Sequence, residues 1–167
     1  ALGSAMVKPM LVDQGWSNTA LGQLTLITSL AGIGGALLGG LLYAQLGAYR
    51  SLLLFGLLQA AGIASMALLV GAAGDTLLVY AISLFEQVAD GMSTVALFAV
   101  MMSYCRAEHE GADFTLQACV QLLLAGLVGA SSGLLAQWLG YSTLFLLAGL
   151  IGLAMLALVQ RHFRQRL

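Results

Sequence analysis

No Asp, Glu, Lys or Arg occurs between Phe114 and Gln160, nor from Gln14 to Tyr49, nor from Ser51 to Gly74. Uncharged stretches of that length do not suit a soluble fold, which covers its outside with polar groups and has about 25% charged residues. Here 8% of the 167 residues are charged and 60% are hydrophobic. Disorder is excluded by the same figures, since disordered chains are poor in apolar residues and rich in charge. The outer surface of this chain therefore faces lipid. Six Lys+Arg against seven Asp+Glu leave a net charge of −1, which supplies no field to hold nucleic acid.

A hydrocarbon core of about 30 Å takes roughly 20 apolar residues per helix. One span fits at about Thr19–Tyr43, a second within Ser51–Gly74, and a third within Thr76–Tyr104, interrupted only by Glu86 and Asp90. The stretch Phe114–Gln160 is too long for one helix and divides at Leu139-Gly140-Tyr141-Ser142. The expectation is an all-α membrane protein with five complete transmembrane helices, preceded by a short apolar piece at Ala1–Leu11. Basic residues orient such a chain, because they collect on the cytoplasmic side. With the C-terminus in the cytoplasm, Arg50, Arg106, Arg161, Arg164 and Arg166 share that side and only Lys8 falls outside. No basic n-region with a short apolar h-region opens the chain, so no signal peptide is expected.

The chain repeats itself. Gly40-Leu41-Leu42-Tyr43-Ala44-Gln45-Leu46-Gly47 and Gly133-Leu134-Leu135-Ala136-Gln137-Trp138-Leu139-Gly140 both read G-L-L-x-x-x-L-G, 93 residues apart. That period holds three membrane helices, and because three is odd, successive copies cross the bilayer in opposite senses. Inverted three-helix repeats nested in a six-helix half mark one large transporter class. The same period makes residues 1–12 the end of a helix whose first part lies upstream, and the chain about half of a longer protein. Two glycine faces follow the period as well. Gly32, Gly35 and Gly39 with Ala31 and Ala36 form one, and Gly126, Gly129 and Gly133 with Ala130 form the other. Both are expected to let helices approach closely, and neither is a phosphate loop, since no strand precedes it.

The pattern Gly40-x-Leu42-x-x-x-x-Gly47-x-x-Arg50, placed in a loop between two spans, resembles the G-x-L-a-D-r-x-G-r-k signature of the major facilitator superfamily. Its acidic position is Ala44 here and the following basic pair is Ala48-Tyr49. Asp90-Gly91-Met92-Ser93-Thr94-Val95-Ala96-Leu97-Phe98 with Met101-Met102-Ser103-Tyr104-Cys105-Arg106 is similar to the G-M-x-T-A-x-F…M-x-x-x-C-R pattern of that superfamily's muropeptide-permease branch. Gly111-Ala112-Asp113-Phe114-Thr115-Leu116-Gln117-Ala118 resembles the G-T-D-F-T-x-Q-A run of its siderophore-permease branch (rhizobactin and pyochelin uptake). The resemblance implies a bacterial inner-membrane permease of twelve helices in two six-helix halves, rocking around a midplane solute and driven by protons. Residues 1–12 would then end the seventh helix and 13–167 would supply helices eight to twelve, with the N-terminal six-helix half as partner. The solute would be a siderophore or a muropeptide. Gly40, Gly47 and Arg50 would form the conformational signature loop.

Within that frame Glu86 and Asp90 are the sharpest feature. A carboxylate near the bilayer centre costs at least ~2.5–3.5 kcal/mol on insertion scales, so neither is expected to face lipid. Their i, i+4 spacing puts both on one helix face, and Ser83, Gln87, Ser93 and Thr94 widen the stripe. In the superfamily this tenth helix lines the cavity, so Glu86, Gln87 and Asp90 are expected along the solute or proton route. Gln117 and Gln121, also i, i+4, offer donors and acceptors without full charge, which suits a polar organic solute. Gln23, Thr25 and Thr28 are further candidates, while Gln59 reads as packing between helices.

Several residues carry blander expectations. Asp113 is expected to N-cap a helix, and Arg161-His162-Phe163-Arg164-Gln165-Arg166 to rest on anionic headgroups. Arg106, Glu108, His109 and Glu110 read as a hydrophilic loop. Cys105 and Cys119 make no CxxC or Cys/His spacing and read as small hydrophobes. His109 lacks a second His at ligand spacing, so no metal and no cofactor is implied. A membrane-embedded enzyme using Glu86 and Asp90 as acid and base is the alternative from another class. It lacks a nucleophile or a histidine on the helices.

Overall fold

The structure, a computed structural model, describes residues 7–69 and 75–164, excepting the side chains of residues 132–137, 139, 158, 159 and 161–164. The first part of the Ala1–Leu11 piece, the end of the second expected span and the basic side chains of the C-terminal anchor lie outside the described residues. The described chain is helical throughout: α1 (Val7–Asp13), α2 (Asn18–Ser65), α3 (Thr76–Ser103), α4 (Glu110–Leu139) and α5 (Tyr141–Arg164). A 3-10 turn, Met66–Leu68, extends the end of α2.

Among the described residues three segments are long and apolar enough to cross a membrane, Asn18–Leu68, Thr76–Ser103 and Glu110–Ser131, and Tyr141–Ala157 is a shorter apolar helix. Asn18–Leu68 has 51 residues. At 1.5 Å per residue it holds about 76 Å of helix, against a hydrocarbon core of roughly 30 Å. It therefore has to turn back, and it does so at Gly47, where φ is 76° and ψ is 170°. This region of backbone space is essentially reserved for glycine.

The contacts of α3 prove the reversal. In the first limb of α2 (18–46), Gly35 lies on Val88, Gly39 on Met92 and Gly40 on Val95. Numbers rise together, so this limb runs parallel to α3. In the second limb (48–65), Gly62 lies on Glu86, Gln59 bonds Asp90, and the Phe55 carbonyl accepts from Ser93. Here one number falls as the other rises, so this limb is antiparallel to α3. The two limbs form a helical hairpin clasping α3. On the second limb's other side sits α5, also antiparallel to it, with Leu156 against Gly56 and Gly149 against Ala64.

Side-chain distribution follows a lipid-facing logic. Leu26, Leu30, Ile33, Leu37 and Leu41 recur every three or four residues and are 60–68% exposed. The opposite face of the same limb buries Leu24, Thr28, Gly35 and Gly39. Small and polar residues face the neighbouring helix, and leucines face outward, as helix packing in lipid favours. Two apolar clusters hold the ends. One joins Met10, Leu11, Leu24, Met66, Val79 and Phe145, and the other joins Phe55, Met92 and Ala96.

The glycine faces do not behave alike. A methyl group at Gly39 would stand 2.7 Å from Met92 Cα, and one at Gly35 or Gly91 would overlap backbone of the facing helix. On α4, a methyl at Gly126 or Gly129 would meet nothing within 4 Å. The expected close approach through the second face is thus not present among the described residues. The turn glycines of the two G-L-L-x-x-x-L-G copies do match, with φ 76° at Gly47 and 77° at Gly140. Gly140 is the residue that separates α4 from α5, as expected from the break in the uncharged stretch.

Candidate functional site

Polar side chains inside an apolar bundle need partners, and α3 carries the densest set. Its start is anchored by Asp75, whose carboxylate accepts from the backbone N–H of Leu77 at 3.1 Å and Leu78 at 3.3 Å. This cap places Ser83, Glu86, Gln87, Asp90, Ser93 and Thr94 along the faces turned towards the two limbs of α2.

The acids diverge. Glu86 is 2% exposed and lines a cavity of about 70 Å³ with Lys8, Thr25, Thr28, Ser83 and Gln87. Asp90 lines a different cavity, of about 410 Å³, with Gln59, Ser93, Thr94 and Gln121. The i, i+4 spacing keeps the two acids on one side of α3, about 40° apart, yet they line different cavities. Glu86 is backed by Gly62 of the second limb, whereas Asp90 is drawn to Gln59.

The amide Nε2 of Gln59 donates to Asp90 Oδ1 at 2.5 Å. Gln59 was expected only to pack helices together, and it does join the second limb of α2 to α3, but through the acid of the candidate route. Sequence spacing could not reveal this partnership, because the residues lie 31 positions apart on different helices. Ser93 donates its hydroxyl to the Phe55 carbonyl at 3.0 Å beside the same cavity.

The glutamines also part company. Gln121 lines the Asp90 cavity, and its Oε1 is buried without a hydrogen-bond partner among the described residues. Gln117 points elsewhere, its amide donating to Cys105 Sγ at 3.6 Å. Thr25 and Thr28 bond back to their own helix, to the carbonyls of Leu21 and Leu24, which leaves them lining the Glu86 cavity with their acceptor capacity. Gln23 is exposed. Of the signature loop, Gly40 touches Val95, Gly47 makes the turn and Arg50 is exposed at the start of the second limb.

The turn between α3 and α4 is built around Asp113. Arg106 reaches it with Nε at 2.9 Å and a terminal nitrogen at 2.8 Å, and the Arg106 backbone N–H adds a third bond at 3.0 Å. The hydrogen bonds that its guanidinium donates to this carboxylate, and the carboxylate's charge, raise the Arg106 pKa above its ordinary value. Asp113 is therefore not the N-cap that was expected. Helix α4 starts earlier, at Glu110, and Asp113 complements the helix dipole from within the first turn while holding the incoming loop. Cys105 donates its thiol to the Met101 carbonyl at 3.3 Å, and both Cys105 and Cys119 are free. Among the described residues no group of His, Cys, Asp and Glu is arranged to hold a metal ion.

An apolar helical bundle with a carboxylate and amides converging on an internal cavity is the layout of a membrane transporter, and comparison with known proteins places it. The profile of the Major Facilitator Superfamily matches residues 1–166, and the chain belongs to that family. The anhydromuropeptide permease of Escherichia coli K12 is 34% identical over 117 residues, covering 70% of this chain and 24% of the relative. The anhydromuropeptide permease of Escherichia coli O157:H7 aligns with the same identity and coverage. The chain thus aligns with about a quarter of the length of these curated relatives. No solved structure matches it. Family and relatives point to a transporter rather than an enzyme.

Proposed function

We propose that this chain is part of a secondary transporter that moves an anhydromuropeptide-like solute by alternating access. The observation that carries this reading is Asp90, held by Gln59 at the wall of a 410 Å³ cavity between α2, α3 and α4. An ionisable group inside an apolar bundle is costly and marks a solute or ion route, and the cavity lies within the 300–1,000 Å³ range of small-molecule sites. Glu86, Gln87, Thr25 and Thr28 line a second, smaller chamber on the same helix, and Gln121 faces the first. Gln117 belongs to the turn at the end of the route. Gly40, Gly47 and Arg50 form the conformational signature loop between the two limbs of α2.

In this reading the chain spans the membrane five times: two limbs of α2, then α3, α4 and α5, with α1 belonging to a further helix. The inverted three-helix repeat is supported by the matching positive-φ glycines 47 and 140. A further six-helix half completes the cavity, consistent with the 24% of the relatives' length that aligns. The clustering of arginines supports a cytoplasmic C-terminus, the membrane being a bacterial inner membrane in this reading, and protons drive the cycle through Asp90 or Glu86.

A siderophore is the second reading, carried by the Gly111–Ala118 run. The polar residues of that run are engaged locally, Asp113 with Arg106, Thr115 with the Gly111 carbonyl and Gln117 with Cys105, so the muropeptide reading is preferred. Uptake into vesicles containing the full permease separates the two. Labelled anhydromuropeptide accumulates under a proton gradient and a ferric siderophore does not; the reverse preference would overturn the assignment.

A further inference from the structure

We propose that Gln59 positions Asp90, and that Asp90 Oδ2 with Gln121 Oε1 forms an acceptor pair for an N–H-bearing group of the solute. Gln59 engages one carboxylate oxygen, Oδ1, which fixes the rotation of the carboxylate and leaves Oδ2 to the cavity. Gln121 Oε1 is buried with no hydrogen-bond partner among the described residues, and a buried carbonyl left without a donor is destabilising. Both groups line one cavity, on facing helices α3 and α4.

The electrostatics select the ligand's chemistry. Among the described residues lining this cavity, Asp90 is ionisable and none is Lys, Arg or His. An ionised carboxylate only accepts hydrogen bonds. The Ser93 hydroxyl is committed to the Phe55 carbonyl, which leaves Thr94 as the other hydroxyl on this lining. In the ionised state of Asp90 an anionic group is disfavoured there, and an amide or ammonium N–H meets two acceptors. The inference rests on the transporter reading and deepens it: the solute presents an N–H donor to this wall, and any carboxylate it carries points elsewhere.

Two measurements test it. In the full permease, an anhydromuropeptide is compared with its N-methylated counterpart, whose amides keep their carbonyls and lose their N–H groups. Wild type shows a KM about tenfold lower for the parent, the scale of one hydrogen bond to a charged acceptor. In Gln121→Leu that preference collapses to within about twofold. An equal preference in both proteins would overturn the acceptor pair.

The second measurement does not depend on transport. Infrared difference spectra of the purified protein, with the Asp90 band assigned by its loss in Asp90→Asn, are recorded with N-methylacetamide and with N,N-dimethylacetamide. The N–H probe alone shifts the carboxylate band, and Gln59→Leu moves the band before any probe is added. Equal response to both probes contradicts the subsite, and an unmoved band in Gln59→Leu contradicts the positioning role. Should wild type transport neither muropeptide, the solute assignment fails while the spectra still decide the subsite.

Discussion

Gly35 sits so close to α3 that a methyl group on it would overlap the carbonyl oxygen of Val88. Its neighbour Gly34 has nothing within 4 Å in the same direction. The pair is a built-in control for helix contact against helix propensity. Gly35→Ala forces the first limb of α2 away from α3 and destabilises by about 1–3 kcal/mol, the usual scale of overpacking. Gly34→Ala gains helix propensity instead and stabilises by up to about 1 kcal/mol. Thermal unfolding in detergent reads both, and equal effects of the two substitutions would show that the contact is not as drawn.

Gly47 makes a second, sharper prediction. Its ψ of 170° lies outside the left-handed helical well that asparagine tolerates. Gly47→Ala and Gly47→Asn therefore both destabilise, by about 1–3 kcal/mol, although a side chain there would meet no neighbour. Unfolding midpoints of the two variants check this; rescue by asparagine would place the turn in the left-handed well instead.

The Gln59–Asp90 bond is expected to matter more for transport than for folding. Interhelical hydrogen bonds in membranes average about 0.6 kcal/mol and reach about 1.7. A double-mutant cycle of Gln59→Leu and Asp90→Leu should give a coupling in that range. Uptake in either single variant should fall at least tenfold. A coupling well above about 2 kcal/mol, with near-normal uptake, would make the pair a structural strut.

The α3–α4 turn is expected to loosen when its ion pair is broken. Arg106→Gln or Asp113→Asn releases the loop that carries Cys105, and maleimide labelling of Cys105 in a Cys119→Ser background should quicken several-fold. High salt should have a milder effect in the same direction, because exposed pairs are screened. Unchanged labelling rates would show that α4 holds this turn without Asp113.

Much of the helical plan is legible in the residues themselves. The uncharged stretches mark helices because a charge facing lipid is costly, and Gly140 divides the longest of them because only glycine takes φ of 77° cheaply. The glycine face at 32, 35 and 39 announces a close neighbour, although not which one. The site is less legible. Helical spacing places Glu86 and Asp90 on one side of α3, yet which cavity each enters depends on where the two limbs of α2 pack, a long-range relation. Gln59 reads as filler because its partner lies on another helix. Asp113 reads as a cap because Asp before Phe-Thr-Leu is a cap signal, and the competing Arg106 fork becomes visible only when the turn is built.

The central claim is that the Asp90 cavity is a watery solute route inside a lipid-facing bundle. Its most direct test is thiol accessibility in a background lacking Cys105 and Cys119. Gln121→Cys should react with a membrane-impermeant maleimide and be protected by anhydromuropeptide, while Leu30→Cys, on the outward leucine stripe, should not react. A Gln121→Cys protein that stays unlabelled, or that labels no faster than Leu30→Cys and gains no protection from the solute, would contradict it.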